Sequence, residues 1–183
     1  MAEQRVSGRY AKSLIDLAVE QNKLDLIYAD MLVFNNTLGA NPALGILFKS
    51  PIVQGEKKLA VVKQIFAASF NAITISFLEL VIRKKREYYL PDIANAFIGL
   101  YNDINKITFA KVTTAVAVSD TVINEVRAFI ENQTGKKVVL ETAVNEDIIG
   151  GLVIHMEDKL YDASISGKLR KAKQELLNTY ISK

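Results

Sequence analysis

The chain has 183 residues, no cysteine and a single histidine, and its twenty-three Lys and Arg against twenty Asp and Glu leave a formal net charge of only +3. Disulfides, thiolate metal sites and cysteine nucleophiles are excluded, and so small a charge creates no field that would demand nucleic acid or an anionic membrane as partner. Half the residues are hydrophobic, enough to build one large core or two small ones.

Met1-Ala2-Glu3-Gln4-Arg5 lacks the basic cap, apolar stretch and small-residue cleavage site of a secretory signal. No apolar run reaches the ~20 residues of a membrane helix, since Ala72 to Ile82 is broken by Thr74, Ser76 and Glu79. The chain is expected in the cytosol, without direct membrane insertion.

Behind Ser7, Tyr10, Leu14, Leu17 and Ala18 share one face, which predicts an amphipathic first helix ending at Gln21-Asn22-Lys23. Leu24, Ile27, Tyr28, Met31, Leu32 and Leu38 carry a second helix to about Gly39. Asn41-Pro42 reads as an N-cap followed by proline at the first helical position. Pro51 disfavours helix in the residue before it, so the third helix stops at Lys49 or Ser50. A fourth helix starts near Gly55-Glu56. A fifth follows Asn71, with Ile73, Phe77, Leu80 and Val81 inward and Leu78 and Ile82 to one side. Arg83-Lys84-Lys85-Arg86 turns the chain, and Leu90-Pro91 opens a sixth helix through Ile93, Phe97, Leu100, Tyr101 and Ile104. Residues 1–105 therefore read as a six-helix bundle.

After Lys106 the texture changes. Thr108 to Val118 is rich in β-branched residues and predicts a strand central to a small sheet. Ser119 or Asp120 caps a helix running to Gly135, and Lys137 to Ala143 is a second strand. Behind the pair Gly150-Gly151, alternation in Leu152 to Met156 and Leu160 to Asp162 gives a hairpin turning at Glu157-Asp158-Lys159. Ser164 then caps a terminal helix with Ile165, Leu169, Ala172, Leu176 and Tyr180 at helical steps. Residues 106–183 thus form a small α+β domain, its sheet expected to lie beneath helices, and the fold class of the whole is α plus α+β.

Little in the chain suggests bond chemistry. His155 stands mid-strand with no second histidine or cysteine to complete a tetrahedral metal site, and no nucleophile elbow accompanies it. Gly135-Lys136 and Gly167-Lys168 echo a phosphate loop, but Ile130 and Asp162 occupy the positions of its first glycine. Glu146-Asp147 and Glu157-Asp158 sit in turn-like sequence where solvent keeps both carboxylates ionised. The Arg83–Arg86 cluster is too small for tight phosphate binding and suits the negative end of the fifth helix dipole. No catalytic residue, cofactor, metal or nucleic acid is expected.

Two stretches resemble a known family. Gly150-Gly151, the following strand and turn, and Tyr161-Asp162-Ala163-Ser164-Ile165 leading into Lys168-Leu169 resemble the C-terminal signature of the delta subunits of F-type ATP synthases, whose mitochondrial counterpart is the oligomycin sensitivity-conferring protein. Val6-Ser7-Gly8-Arg9-Tyr10-Ala11-Lys12-Ser13-Leu14 is similar to the first-helix motif of that family. Ser13 and Ala163 depart from it, the family more often having alanine and glycine there. The resemblance spans nearly the whole chain and implies a non-catalytic stator subunit at the cytoplasmic face of the membrane. It implies a groove between the first and fifth helices for the N-terminal segment of an alpha subunit, to which Tyr10, Ala11, Leu14, Ala18, Leu78 and Ile82 are assigned. It also implies a C-terminal domain that meets the b subunits of the peripheral stalk, for which Lys168, Lys171 and Lys173 offer a basic surface. A helical adaptor unrelated to ATP synthase is the alternative that the residues alone leave open.

Overall fold

A computed structural model describes residues 2–156 and 159–181. The chain divides into two compact units, Met1–Ile104 and Asn105–Lys183.

The first unit contains α1 (Ala2–Glu20), α2 (Leu24–Ala40), α3 (Pro42–Lys49), α4 (Gly55–Phe66), α5 (Ala72–Arg83), a 3-10 turn at Glu87–Tyr89 and α6 (Leu90–Ile104). Their apolar stripes meet in one core, in which Leu14, Ile27, Met31, Phe34, Val62, Leu78, Ile93 and Phe97 are fully buried. Helix α1 starts five residues ahead of Ser7, so this serine is a buried helical residue and no cap. The cause is local: Glu3, Gln4 and Arg5 are good helix formers and nothing there stops the helix. Asn41 also differs from expectation. Its side chain makes no cap bond to α3, and its Nδ2 donates to the Thr37 carbonyl at the end of α2. Asn71 does cap α5, accepting from the Ile73 N–H, while Asp30 on α2 accepts from the Asn71 N–H and the buried Thr74 hydroxyl.

Helix α5 is rotated relative to the sequence expectation. Thr74, Phe77, Leu78, Val81 and Ile82 are buried, and Leu80 is exposed. With apolar side chains nearly all round this helix, periodicity alone does not fix which stripe faces inward. The helix ends in a Schellman arrangement, the Arg86 N–H bonding the Val81 carbonyl and the Lys85 N–H that of Ile82. Lys85 itself takes the left-handed conformation, φ 56°, that glycine ordinarily supplies.

The second unit runs β1 (Ile107–Thr114), α7 (Asp120–Thr134), β2 (Lys137–Val144), a 3-10 turn at Glu146–Ile148, β3 (Leu152–Met156), β4 (Lys159–Asp162) and α8 (Ile165–Ile181). The strand order is β2-β1-β3-β4. β2 is parallel to β1 because α7 carries the chain back across the sheet, while β3 and β4 run antiparallel. β1 is shorter than its β-branched run, since Thr114 pairs with both Val144, the last residue of β2, and Leu152, the first of β3, and no neighbour continues beyond it. The expected turn at Glu157 and Asp158 lies outside the described residues.

Ala110, Val112, Val138, Ile154 and Met156 pack one face of the sheet with Ile130 and Val126 of α7. The expectation of a sheet buried beneath helices fails on the other face. Phe109, Val139, His155 and Leu160 are exposed there, with Lys111 and Glu141 paired across the strands at 3.4 Å. A single crossover helix can cover only one face of the sheet, and nothing on α8 is buried beyond Gly167 among its described side chains.

The entry into α8 is closely specified. The Ser164 hydroxyl is buried, accepts from the Gly167 N–H at 2.9 Å and donates to Asp162, which also receives the Ser164 N–H. These bonds hold the Asp162 carboxyl below the usual carboxylate range, with the charges of Arg170 and Lys171 acting in the same direction. Gly151 sits at φ 77°, where an added Cβ would meet the Ala163 carbonyl oxygen, and a Cβ at Gly167 would run into the Asp162 carboxylate. Gly151 is therefore required by close backbone approach, and Gly167 leaves room for the Asp162 carboxylate.

Candidate partner-binding site

Five of the six residues assigned to the groove between the first and fifth helices belong to one buried cluster. Ala11, Leu14, Ala18 and Leu78 have no exposed surface and Ile82 almost none. They lie in the core of the unit, beneath its surface. Tyr10 is half-buried, and its ring meets Phe77 of α5 edge-on with centroids 6.4 Å apart. That contact marks where α1 and α5 adjoin. Among the large apolar side chains of the two helices, Leu17, Val19 and Leu80 reach solvent, the last 48% exposed. Sequence reasoning placed Leu17 and Leu80 inward, because an apolar residue on a helix is read as core unless something else contradicts it.

On α8, Lys168, Lys171 and Lys173 are all exposed, as is Arg170. Ile165, Leu169, Ala172 and Leu176 fall on one stripe by helical spacing, with Lys168 and Lys171 to one side and Lys173 to the other. This stripe is open to water, Leu176 being 64% exposed. The basic residues thus border an uncovered apolar strip, which was legible in the sequence as a helix face but not as an exposed one.

A third feature was missed altogether. The end of α3, the 50–54 loop, the start of α4 and the end of α5 enclose a cleft of about 940 Å³. Lys58 stands at its base, 1% exposed, and donates to the carbonyls of Phe48 and Ser50 and to Glu87 Oε1 at 3.1, 2.7 and 2.9 Å. A buried ammonium is tolerated only when its donors are so occupied. Glu87 Oε2 is buried with no donor among the described residues. Lysine at position 58 reads in sequence as one more solvated cation, because its three partners lie in other segments.

At the exposed end of α5, Glu79 bridges Lys63 on α4 and Arg83 one turn on. The Lys63 hydrogen bond leads in holding its carboxyl below the usual range. Among the described residues no group of three or more His, Asp or Glu is placed to hold a metal, and no helix is long and apolar enough to cross a membrane.

These surfaces suit macromolecular contact, and comparison with known proteins supplies the family. The model of the ATP synthase delta (OSCP) subunit matches residues 6–176. An ATP synthase subunit delta from Cytophaga hutchinsonii is 35% identical over the full length of both chains. One from Flavobacterium psychrophilum is 34% identical over 97% of this chain and the whole of its own. In fold, the chain is similar to one in the mitochondrial ATP synthase hexamer of Toxoplasma gondii, with a TM-score of 0.69 over 93% of this chain and 97% of that one, at 24% identity. With a family model spanning nearly all of the sequence and relatives aligned end to end, the chain belongs to the ATP synthase delta (OSCP) subunit family.

Proposed function

We propose that this chain is the non-catalytic stator subunit of an F-type ATP synthase, joining the catalytic head to the peripheral stalk on the cytoplasmic face of the membrane during proton-driven ATP synthesis. The N-terminal unit, read as a six-helix bundle over 1–105, takes the N-terminal segment of an alpha subunit. The C-terminal unit, 106–183, takes the b subunits. The observation that carries this reading is that each unit has its own core yet leaves large apolar side chains exposed on its helices: Leu17 and Leu80 on α1 and α5, and Leu169 and Leu176 among the cations of α8.

A joint that resists torque needs tight binding, and nanomolar affinity corresponds to about 12 kcal/mol. One buried leucine contributes about 1.5–3 kcal/mol before association entropy is subtracted, so several anchors act together. In the α1–α5 seam, Tyr10, Leu17 and Leu80 supply contact, while Ala11, Leu14, Ala18, Leu78 and Ile82 shape the floor beneath them. On α8 the apolar stripe supplies area, and Lys168, Lys171 and Lys173 select an acidic stalk surface.

The test is calorimetric titration of the full chain with a peptide of the ~20 N-terminal residues of the host's own alpha subunit, a segment length matched to an amphipathic helix lying in a groove. One-to-one binding abolished by Leu80→Asp, with the melting curve unchanged, is expected. Binding that survives this substitution would move the head contact away from the seam, and no binding at all would remove the alpha segment as its ligand.

A further inference from the structure

The cleft beside Lys58 is remote in composition from either proposed interface and asks for a partner of its own. Its walls are apolar, built from Phe48, Val53, Leu59 and Ile82. Ile52 does not line the cleft, but it lies in the loop between the lining residues Pro51 and Val53 and is 90% exposed. Lys49, Arg83 and Lys85 line the mouth. Lys49 lies over the Tyr88 ring, 5.8 Å from its centroid, and neither it nor Lys85 is ion-paired among the described residues. Of the acidic residues at the mouth, Glu87 is neutralised by Lys58, leaving Glu56.

Lys85 sharpens the argument. It holds a left-handed conformation in which glycine is unstrained, so the chain carries a cation at a position where backbone energetics favour its absence. Lys84 and Arg86 on either side already satisfy the helix dipole. Lys58, fixed by its three acceptors, ties the end of α3 to α4 and the 3-10 turn and keeps the cleft open as a preformed shape.

We propose that this cleft is a second docking site on the N-terminal unit, occupied by a short acidic amphipathic segment of another subunit in the complex. Apolar side chains of that segment meet Val53 and the exposed ring of Tyr88, and its carboxylates face Lys49 and Lys85. The proposal rests on the chain's membership of an ATP synthase, but not on the α1–α5 seam.

It is tested in the assembled enzyme with p-benzoylphenylalanine replacing Ile52, and, separately, replacing Leu80 to report on the seam. After irradiation the cross-linked peptides are identified by mass spectrometry. The expected product at position 52 is one subunit, joined at a segment of net negative charge with apolar residues three and four apart. Lys49→Glu combined with Lys85→Glu is expected to lower its yield roughly tenfold without lowering that at position 80. Lys85→Gly is expected to raise the melting temperature and still reduce the yield, which a purely structural lysine would not do. A product at position 80 but none at 52, a neutral or basic cross-linked segment, or a yield indifferent to the charge reversals would each overturn the proposal. A chain that fails to co-purify with the enzyme would sink the stator reading, and this proposal with it.

Discussion

The two units handle apolar surface in different ways. In Met1–Ile104 each helix directs its stripe into a shared core, and buried polar groups find partners within the unit, Lys58 three acceptors and Thr74 Asp30, Glu87 Oε2 being the exception among the described residues. In Asn105–Lys183 one helix covers one face of a four-stranded sheet, and the far face and the stripe of α8 stay open. The first unit is stabilised from inside. The second is complete in its hydrogen-bonded framework yet leaves leucines exposed, as expected of a surface that a permanent partner covers. Stability should therefore track core substitutions in the first unit and backbone substitutions at the α8 junction in the second.

The strongest way to break that comparison is at Lys58. Lys58→Met keeps the aliphatic stem but strands Glu87 and two carbonyls, and is expected to cost about 3–5 kcal/mol in urea unfolding followed by circular dichroism. Adding Glu87→Gln should recover part of the loss by removing the uncompensated charge. A cost under about 1 kcal/mol would mean the buried lysine does not hold α3, α4 and the 3-10 turn together.

Next comes the junction. Gly151→Ala places a Cβ against the Ala163 carbonyl at a positive φ, and is expected to cost about 2–4 kcal/mol. Hydrogen exchange should accelerate in β3, β4 and α8 while α1–α6 stay protected. Acceleration throughout the chain would show that the two units do not unfold separately, contrary to the division drawn above.

The α plus α+β class, the strand-helix-strand order and the two strands leading to Ser164 were legible in the sequence, because proline, glycine and the switch from a helical to a two-residue period are local signals. What was not legible depended on distant neighbours. Leu78 and Leu80 are equally apolar, and only the packing of α5 separates a core residue from a surface one. Asn41 had two helix ends to serve, and its side chain bonds the one behind it. Leu169 and Leu176 read as one face of an amphipathic helix, and amphipathicity states that a face will be covered without saying by which chain. Of the site residues, the cations of α8 are exposed, whereas Ala11, Leu14, Ala18, Leu78 and Ile82 lie beneath the surface.

A smaller effect tests the interior of the first unit by pH. Tyr101 stacks on Tyr28 with ring centroids 3.7 Å apart and donates to Asp25 at 2.8 Å. Burial, followed by the bond to Asp25 and its charge, pushes the phenol up to about 12. The folded state therefore favours the protonated phenol over the unfolded chain, whose tyrosine titrates near 10. The stabilisation is full below pH 10 and is lost as pH rises toward 12. Tyr101→Phe should cost about 1 kcal/mol at neutral pH and flatten the decline of stability over that window. An unchanged alkaline profile would place the source elsewhere in the fold.

The smallest expected effect is the most informative about the second unit. Leu169→Ser with Leu176→Ser removes two apolar side chains, yet both are more than half exposed, so the isolated chain should stay within about 0.5 kcal/mol of its original stability. If α8 is the stalk-facing surface, the same pair should sharply weaken binding of the soluble b-subunit stalk, and charge reversal at Lys168, Lys171 and Lys173 should weaken it further in low salt than in high salt. Loss of stability together with loss of binding would mean the stripe packs within the chain, and the contrast between a first unit whose helices share one core and a second whose terminal helix is left uncovered would fall. Stability retained and binding lost is the outcome that only an interface residue can give.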